Sequence, residues 1–314
     1  MKVYVTSRLP LDVEEIFKEA GIECYMSDPF TSRIEMMGYA LDADGIICLL
    51  RDKIDREFID NAKNLKIIAN YAVGYDNIDV NYAKEKGIYV TNTPDVLTNA
   101  TADLVFSLML AAARRISESD RYVRDNNFRG WRSDEMLGVD VYGKTLGIYG
   151  FGRIGQSVGK RATGFDMDVI YCDGEEKLTS YKSRRVDFEE LIEESDFISV
   201  NAPLNKETEY KFTYEVFEKM KRNAVFINTA RGKIVKENDL YRALLEGLIK
   251  YAGLDVYEDE PSITEGLMDL DNVILLPHIG SATEDTRKKM ALLCIESIKE
   301  TLINKERPKL CVNC

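Results

Sequence analysis

The chain has 314 residues, of which 45% are hydrophobic and 31% are charged, and its net charge at pH 7 is -12. This length and composition predict a globular protein with two domains, each with its own core. The excess of acidic residues argues against nucleic acid or an anionic membrane surface as a partner.

Short β-rich runs alternate with helical patterns from the start of the chain, beginning with KVYVT, DGIICLL, LKIIANY and GIYVTN. This alternation predicts stacked βαβ units and a parallel sheet. The segment LTNATADLVFSLMLAAARRISESDRYV follows, and we predict that it forms one long helix opening a second domain. A second β-rich series then runs from KTLGIYG to NVILLP. The last helical pattern, EDTRKKMALLCIESIKETLI, is predicted to return to the first domain.

We therefore predict an α/β protein of two doubly wound parallel-sheet domains, Rossmann-like or flavodoxin-like, with a cleft between them. Residues 1–97 and 285–314 form the first domain in this prediction, and residues 98–284 form the second. The opening MKVYVTS does not resemble a signal peptide, and no apolar run reaches membrane-spanning length. We accordingly expect a cytoplasmic protein with no membrane partner.

The cysteines of a large chain without a signal sequence predict reduced thiols. The six are Cys24, Cys48, Cys172, Cys294, Cys311 and Cys314. The terminal CVNC has the spacing of a redox or metal-binding pair, but no second pair or histidine lies beside it. We interpret it as an inert tail, and we predict no metal site.

A glycine-rich segment follows the first strand of the second series. Gly150, Gly152 and Gly155 form G-x-G-x-x-G between a β-rich run and a helical one, where such glycines permit a tight turn and the close approach of a pyrophosphate. The next strand ends at Asp173, whose carboxylate can bind the adenosine ribose hydroxyls and repel a 2′-phosphate. The segment therefore predicts NAD, as NADH rather than NADPH, although Lys177 works against that preference. A glycine-rich turn without a ligand is the alternative.

Three later segments, NTARGKIV, GLDVYEDEP and LPHIGSAT, come at the ends of predicted strands of this sheet, where doubly wound folds bind ligands. They contain Arg231, Asp255, Glu260 and His278, the last being the only histidine of the chain. Taken singly, Arg231 could be a surface charge and Glu260 part of an acidic turn. Together the four residues indicate a catalytic group.

The sequence resembles the D-isomer-specific 2-hydroxyacid dehydrogenase family over nearly its whole length. The segments NYAVGYDNIDV, TNTPDVLTNATADL, DVYGKTLGIYGFGRIG and the three above look like family segments in family order, closest to the glyoxylate and hydroxypyruvate reductase branch. The resemblance implies a substrate domain made from both chain ends, a central NAD-binding domain, and a homodimer built on the central domains.

The resemblance also implies roles for the catalytic group. Arg231 pairs with the substrate carboxylate and polarises the ketone, for which a planar guanidinium is well suited. Glu260 pairs with His278, and a neighbouring carboxylate favours the imidazolium form. His278 protonates the carbonyl oxygen as hydride arrives from the nicotinamide, and it accepts the proton in the reverse direction.

Substrate contacts in the first domain are implied at Leu50 and at the backbone N–H groups of Val73 and Gly74. For Leu50, a core position is the alternative. Arg51 is a hypothetical contact to a second carboxylate or a hydroxyl of the substrate. The implied cofactor-binding residues are Thr101, Gly150, Gly152, Arg153, Ile154, Gly155, Asp173, Ala202, Pro203, Thr208, Thr229, Ala230, Arg231, Asp255, His278 and Gly280.

The predicted function is NADH-dependent reduction of a small 2-keto acid, glyoxylate or hydroxypyruvate preferred, to the D-2-hydroxy acid. Reduction to D-lactate or to branched-chain hydroxy acids stays open, because one extra methylene is discriminated only weakly. An NAD-sensing protein of the corepressor type also stays open, since a scaffold can retain a catalytic set. The lack of long disordered tails and of a basic patch favours the enzyme.

Overall fold

The computed structural model describes residues 1–314, and the chain divides into two compact units. The first unit combines Met1–Leu97 with Ser281–Cys314, and the second spans Thr98–Gly280. The second unit thus ends at residue 280, whereas its predicted end was residue 284. Each unit contains one parallel sheet connected by helices, which confirms the predicted α/β class. None of the helices combines the length and apolar character that crossing a bilayer requires.

Five parallel strands form the sheet of the first unit. They are β1 (Lys2–Val5), β2 (Glu23–Met26), β3 (Gly45–Cys48), β4 (Ile67–Asn70) and β5 (Tyr89–Thr91). Their order across the sheet is β2-β1-β3-β4-β5, which is flavodoxin-like, and the order reverses between β1 and β3. Strand β2 was not predicted from the sequence, because this edge strand is only half-buried and has no continuous apolar run.

Four helices connect these strands: α1 (Val13–Glu19), α2 (Arg33–Ala40), α3 (Arg56–Asn61) and α4 (Val80–Glu85). Each begins after a capping residue whose side chain accepts the backbone N–H three residues further on. These four caps are Asp12, Ser32, Asp55 and Asp79. Each satisfies a backbone donor that the first helical turn leaves without a partner.

Seven parallel strands form the sheet of the second unit. They are β6 (Thr145–Tyr149), β7 (Asp168–Cys172), β8 (Arg184–Arg185), β9 (Phe197–Val200), β10 (Val225–Asn228), β11 (Tyr251–Leu254) and β12 (Val273–Leu275). The order is β12-β11-β10-β9-β6-β7-β8, reversing between β6 and β9. Strands β9, β10 and β11 are buried along their whole length, which explains their continuous apolar pattern. The two-residue edge strand β8 was not predicted.

The helices of the second unit are α5 (Thr98–Ala113), α6 (Ile116–Arg124), α7 (Arg153–Ala162), α8 (Phe188–Glu194), α9 (Tyr214–Lys219) and α10 (Glu237–Leu245). Helix α5 packs against β10, β11 and α7. Short 3-10 segments at Thr163–Phe165, Gly232–Ile234 and Leu267–Asp269 complete the unit.

The prediction of one long helix at the start of the second domain was wrong. Helix α5 ends at Ala113, and α6 begins after Arg115, whose φ is 52°. The carbonyl of Ala113 accepts the N–H of Val139 at 2.8 Å, and a Cβ on Gly138 would lie 2.0 Å from the same oxygen. The returning chain therefore occupies the carbonyl that a continuing helix would need. This long-range contact leaves no mark in the local pattern.

The chain ends with α11 (Glu284–Leu302), which packs against β3 and β4, and with a segment that pairs with β5. The N–H of Val312 donates to the carbonyl of Val90 at 2.8 Å. Asn313 accepts the N–H of Val90 at 2.9 Å and donates to the carbonyl of Ile88 at 2.8 Å. The tail therefore covers the outer edge of the sheet.

Cys311 and Cys314 form a disulfide within this tail. The expectation of six reduced thiols and an inert tail was therefore wrong for this pair. The bond closes a small ring around Asn313, the residue whose side chain contacts β5. The free cysteines are Cys24, Cys48, Cys172 and Cys294.

Candidate active site

The glycine-rich turn directly follows β6. Gly150 has a φ of 88°, and an added Cβ would lie 2.4 Å from the backbone nitrogen of Ala202, so only glycine suits this position. A Cβ on Gly155 would lie 2.3 Å from the Gly150 carbonyl oxygen, in the close packing between turn and helix. A Cβ on Gly152 would meet no atom within 4 Å. Gly150 and Gly155 therefore serve the turn itself, whereas Gly152 leaves one face open to a ligand.

Gly152 is also the N-cap residue of α7. The first bond of this helix runs from the N–H of Gln156 to the Gly152 carbonyl at 2.9 Å. The backbone N–H groups of Arg153, Ile154 and Gly155 precede this bond in the chain. Such groups, together with the helix dipole, bind anions. The turn and the helix N-terminus thus fit the pyrophosphate of a dinucleotide.

Asp173 follows β7 and contacts the glycine-rich turn directly. Its Oδ2 accepts the N–H of Phe151 at 2.7 Å, and its Oδ1 accepts the N–H of Glu175 at 3.3 Å. Because each carboxylate oxygen can accept more than one hydrogen bond, both oxygens retain capacity for a ribose hydroxyl. Asp173 therefore fixes the turn and can also accept a hydrogen bond from a ribose hydroxyl.

Two cationic side chains lie next to Asp173. Lys177 pairs with Glu175 at 2.9 Å, so its positive charge offsets the negative charge of Asp173 less than the sequence alone suggested. Arg185 donates to the backbone carbonyls of Asp173 and Gly174 at 3.1 and 2.9 Å. Arg185 was not predicted at this site, because it is on β8, away from the glycine motif.

The buried carboxylate of Asp255, directly after β11, fixes the segment that carries His278. Its two oxygens accept the N–H groups of Ile279 and Gly280 at 2.7 and 2.8 Å. Thr101 donates from its Oγ1 to the Gly280 carbonyl at 3.2 Å. Burial raises the pKa of Asp255, while the two backbone N–H groups and the charge of His278 act in the opposite direction. The chain after the histidine is therefore held at three points.

His278 has a left-handed backbone, with a φ of 54°. This conformation is uncommon for residues other than glycine and persists only where neighbouring contacts impose it. The bonds to Asp255 hold the residues after His278, and before it the hydroxyl of Tyr257 donates to the Leu276 carbonyl at 2.9 Å. In this conformation the His278 Nδ1 lies 2.9 Å from Oε2 of Glu260.

Glu260 belongs to the acid loop, by which we mean residues 257–264. Its Oε1 accepts the N–H of Tyr257 at 3.1 Å, while its Oε2 faces His278. Burial by itself raises the pKa of Glu260, but the hydrogen bond and charge of His278, the Tyr257 N–H and the charge of Arg231 outweigh it, and the net pKa is lowered. The carboxylate is thus ionised at neutral pH and engages Nδ1, which leaves Nε2 of the imidazole for a substrate.

Arg231 follows β10, the strand next to β11. Asn228 donates from Nδ2 to the Arg231 carbonyl at 3.0 Å and accepts the Ala230 N–H at 3.1 Å. Nη1 of Arg231 donates to the Ala230 carbonyl at 2.8 Å. A Cβ on Gly232 would lie 1.9 Å from the carbonyl carbon of Tyr257, so the backbone here touches the acid loop. This close approach brings the arginine to the histidine–glutamate pair.

The buried carboxylate of Glu237 holds the acid loop to the start of α10. Its Oε2 accepts the N–H of Glu258 at 2.8 Å, and its Oε1 accepts the N–H of Thr264 at 2.6 Å. In return, the N–H of Glu237 donates to Oε2 of Glu258 at 3.0 Å. Glu237, Asn228 and Gly232 were not predicted from the sequence. The glycine that follows the arginine in ARGK was the one available sign of a close backbone approach.

The remaining predicted cofactor residues lie in the turns after β9 and β10. Thr208 donates from Oγ1 to the Pro203 carbonyl at 2.7 Å and closes the turn after β9, which begins beside the buried Ala202. Thr229 and Ala230 are half-buried directly after β10. The structure thus places these residues at the same carboxyl edge of the sheet as the glycine-rich turn. Their contacts to a cofactor stay predictions.

The first unit carries the predicted substrate contacts after β3 and β4. Leu50 is half-buried rather than a core residue, and Arg51 is exposed, with its Nε 3.7 Å from Oδ1 of Asp52. Val73 and Gly74 follow β4, and neither backbone N–H donates to an acceptor of the protein. Both amides are therefore available for an external acceptor.

The chain is similar in sequence to a known protein family and to a known enzyme. The family model for the D-isomer specific 2-hydroxyacid dehydrogenase NAD binding domain matches residues 106–280, more than half of the chain. A glyoxylate reductase from Thermococcus litoralis is 47% identical over 305 residues, covering 95% of this chain and 92% of that protein.

Two solved structures resemble the whole chain. A D-lactate dehydrogenase from Aquifex aeolicus, complexed with NAD and lactic acid, has a TM-score of 0.87 and 28% identity, covering 100% of this chain and 99% of that one. An NADPH-dependent glyoxylate/hydroxypyruvate reductase from Sinorhizobium meliloti, in complex with NADP and malonate, has a TM-score of 0.86 and 28% identity, covering 99% and 96%.

These similarities extend over both units and include the NAD-binding domain with its glycine-rich turn. The protein is an NAD-dependent oxidoreductase of 2-hydroxy acids, as the sequence analysis predicted. The chain belongs to the D-isomer-specific 2-hydroxyacid dehydrogenase family.

Proposed function

We propose that this chain uses NADH to reduce a small 2-keto acid, with glyoxylate or hydroxypyruvate preferred, to the 2-hydroxy acid of D configuration. The observation that carries the proposal is the 2.9 Å contact between Nδ1 of His278 and Oε2 of Glu260, with Arg231 on the neighbouring strand end. Reduction of a ketone requires a proton donor at its oxygen, and an imidazolium held by a carboxylate is such a donor. The similarity to the glyoxylate reductase of Thermococcus litoralis supports the substrate class.

In the proposed reaction His278 donates the proton on Nε2 to the ketone oxygen. When bound, the reduced nicotinamide supplies the hydride that adds to the carbonyl carbon. Glu260 stays ionised and stabilises the imidazolium until the proton is transferred. Arg231 is assigned to the substrate carboxylate, because its planar fork can donate to both oxygens. In the reverse direction the neutral imidazole accepts the hydroxyl proton.

In the first unit we assign the backbone N–H groups of Val73 and Gly74 to the substrate carboxylate and Leu50 to an apolar contact with the substrate. Arg51 stays a hypothetical contact to a second polar group, such as the hydroxyl of hydroxypyruvate. Its test is the substitution Arg51→Ala. A lower kcat/KM for hydroxypyruvate with an unchanged value for glyoxylate supports the contact, and unchanged kinetics with both substrates removes it.

We propose NADH rather than NADPH because the charge of Asp173 repels a 2′-phosphate. The pairing of Lys177 with Glu175 at 2.9 Å supports this preference, since the lysine is already neutralised. Arg185 is the opposing influence, because its exposed guanidinium lies against the backbone of Asp173. The ratio of kcat/KM with NADH to kcat/KM with NADPH tests whether Asp173 or Arg185 has the larger effect on cofactor choice.

We also propose a homodimer formed through the second units. Between α6 and β6 large apolar side chains are exposed, including Trp131 at 85%, Tyr142 at 71% and Leu137 at 62%. Apolar surface of this kind is typical of interfaces. Light scattering should give twice the chain mass of 35.8 kDa. The cytoplasmic location and the lack of nucleic-acid and membrane partners stay predictions.

The proposed function is tested by initial-rate NADH oxidation with glyoxylate, hydroxypyruvate, pyruvate and 2-ketoisocaproate in parallel, repeated with NADPH. Highest kcat/KM for one of the first two substrates with NADH is the expected result. Preference for pyruvate or 2-ketoisocaproate would reassign the substrate to a D-lactate or branched-chain dehydrogenase. Tight NADH binding without turnover of any of the four would contradict the proposal and favour an NAD sensor.

A further inference from the structure

The loop after β4, which we call the carboxylate loop and define as residues 72–74, has an unusual arrangement of its backbone. All three of its carbonyl groups accept hydrogen bonds from the protein. The Ala72 carbonyl accepts the N–H of Thr93 at 2.8 Å. The Val73 carbonyl accepts Nδ2 of Asn92 at 2.8 Å, and the Gly74 carbonyl accepts Nδ2 of Asn70 at 2.7 Å.

These bonds also set the direction of the N–H groups. In a trans peptide the carbonyl of one residue and the N–H of the next point to opposite sides of the chain. The bond from Thr93 to the Ala72 carbonyl therefore turns the Val73 N–H away from Thr93. In the same way, the bond from Asn92 to the Val73 carbonyl turns the Gly74 N–H away from Asn92. Neither N–H donates within the protein.

Asn92 itself is well fixed. It directly follows β5, which pairs with β4 on one side and with the disulfide-closed tail on the other. The backbone N–H of the next residue, Thr93, holds the same loop at Ala72. The side-chain amide of Asn92 is therefore presented from a rigid strand end to one carbonyl of the carboxylate loop.

We propose that Asn92 is a positioning residue for the substrate carboxylate, acting through the Val73 carbonyl to keep the N–H of Gly74 oriented as a donor. The inference rests on the proposed function, which assigns the Val73 and Gly74 amides to that carboxylate. Without the Asn92 bond, this peptide group can rotate and the second N–H loses its direction. Recognition of the carboxylate should weaken, whereas cofactor binding should not.

The test uses two substitutions at this position and one control. Asn92→Ala removes the donor, and Asn92→Asp keeps the shape but offers only acceptors to the Val73 carbonyl and adds a negative charge near the substrate anion. The control is Asn61→Ala, because Asn61 also donates from Nδ2 to a backbone carbonyl, that of Met37 at 2.6 Å, elsewhere in the same unit.

For Asn92→Ala we expect KM for the keto acid to rise about tenfold, equivalent to about 1.4 kcal/mol, with a smaller change in kcat. Asn92→Asp should raise KM further. The dissociation constant of NADH, measured by fluorescence titration, should match wild type in both variants. Asn61→Ala should keep the wild-type KM. Wild-type KM in Asn92→Ala, or an equal rise in Asn61→Ala, would overturn the inference.

A binding measurement separates failure of this inference from failure of the proposed function. Oxalate, a carboxylate that cannot be reduced here, is titrated calorimetrically into the NADH-loaded wild type and variants. If wild type binds oxalate but reduces no keto acid, the proposed function fails, and about tenfold weaker oxalate binding in Asn92→Ala still supports the positioning role. Equal oxalate binding in wild type and Asn92→Ala, or none in wild type, would contradict it.

Discussion

Replacing Glu260 with glutamine should lower kcat/KM for glyoxylate about tenfold. The substitution keeps the shape of the side chain and an oxygen that can accept the N–H of Tyr257, but it removes the charge facing His278. In the proposed reaction His278 donates a proton from its charged form, which the facing carboxylate stabilises. Glutamine is neutral and removes this stabilisation, so kcat/KM should fall.

The magnitude follows from the separation of the charges. Two unit charges 2.9 Å apart interact by about 1.4 kcal/mol at the dielectric constant of water. Both side chains are about one third exposed, 31% for His278 and 37% for Glu260, so we use this screened value and not the larger one for a buried pair. A loss of about 1.4 kcal/mol of transition-state stabilisation corresponds to about a tenfold lower rate.

The assay is kcat/KM for glyoxylate at neutral pH in wild type, Glu260→Gln and Asp259→Asn. Asp259 is the matched control, because it is the adjacent residue of the acid loop, is largely exposed and faces Lys233 at 3.9 Å instead of the histidine. The value of kcat/KM should fall about tenfold in Glu260→Gln and stay unchanged in Asp259→Asn. An unchanged kcat/KM in Glu260→Gln, or an equal fall in the control, would refute the assignment of this pair.

The charge of Glu260 should also affect the stability of the fold. Because the pKa of Glu260 is lowered in the folded protein, its carboxylate contributes stability above its ordinary pKa, and this contribution is lost as pH falls through the lowered folded-state pKa. The difference in free energy of unfolding between wild type and Glu260→Gln should therefore be present at neutral pH and decrease in acid. A difference that grows on acidification would contradict this sign.

Four other substitutions separate the remaining roles. His278→Ala should lower kcat by about a hundredfold or more while the NADH dissociation constant stays near wild type; a retained kcat would show that another group is the acid. Asp173→Asn keeps an acceptor for the glycine-rich turn but removes the repelling charge, so kcat/KM with NADPH relative to NADH should rise about tenfold. An unchanged ratio would assign cofactor choice elsewhere. Gly152→Ala adds a Cβ that meets no protein atom within 4 Å, so the melting temperature should hold while KM for NADH rises; a loss of stability with normal NADH binding would be the opposite result. Cys314→Ser opens a ring with a sequence separation of 3, which should destabilise the first unit by about 2 kcal/mol with kcat unchanged, and an unaltered melting curve would show that the bond stabilises nothing.

Much of the fold was readable because its signals are local. The strands at the centre of the second unit are buried on both faces, so each appears as a short apolar run. The glycine-rich turn has its own spacing, and Arg231, Asp255 and His278 follow their strands within a few residues. Parallel strands all end at one edge of a sheet, so a linear pattern was sufficient to place these groups together.

The tertiary structure decided the features that depend on contacts distant in sequence. The returning chain at Gly138 ends α5, Asn313 of the tail bonds to β5, and Glu237 of α10 fixes the acid loop. None of these three contacts has a local signal, because each partner is ordinary in its own segment. The left-handed backbone of His278 is the clearest case. The residue itself could be identified from the sequence. Its backbone conformation depends on the buried carboxylate of Asp255, which accepts the N–H groups of the two following residues. Side-chain identity therefore determined which chemistry is available, and long-range hydrogen bonding determined its geometry.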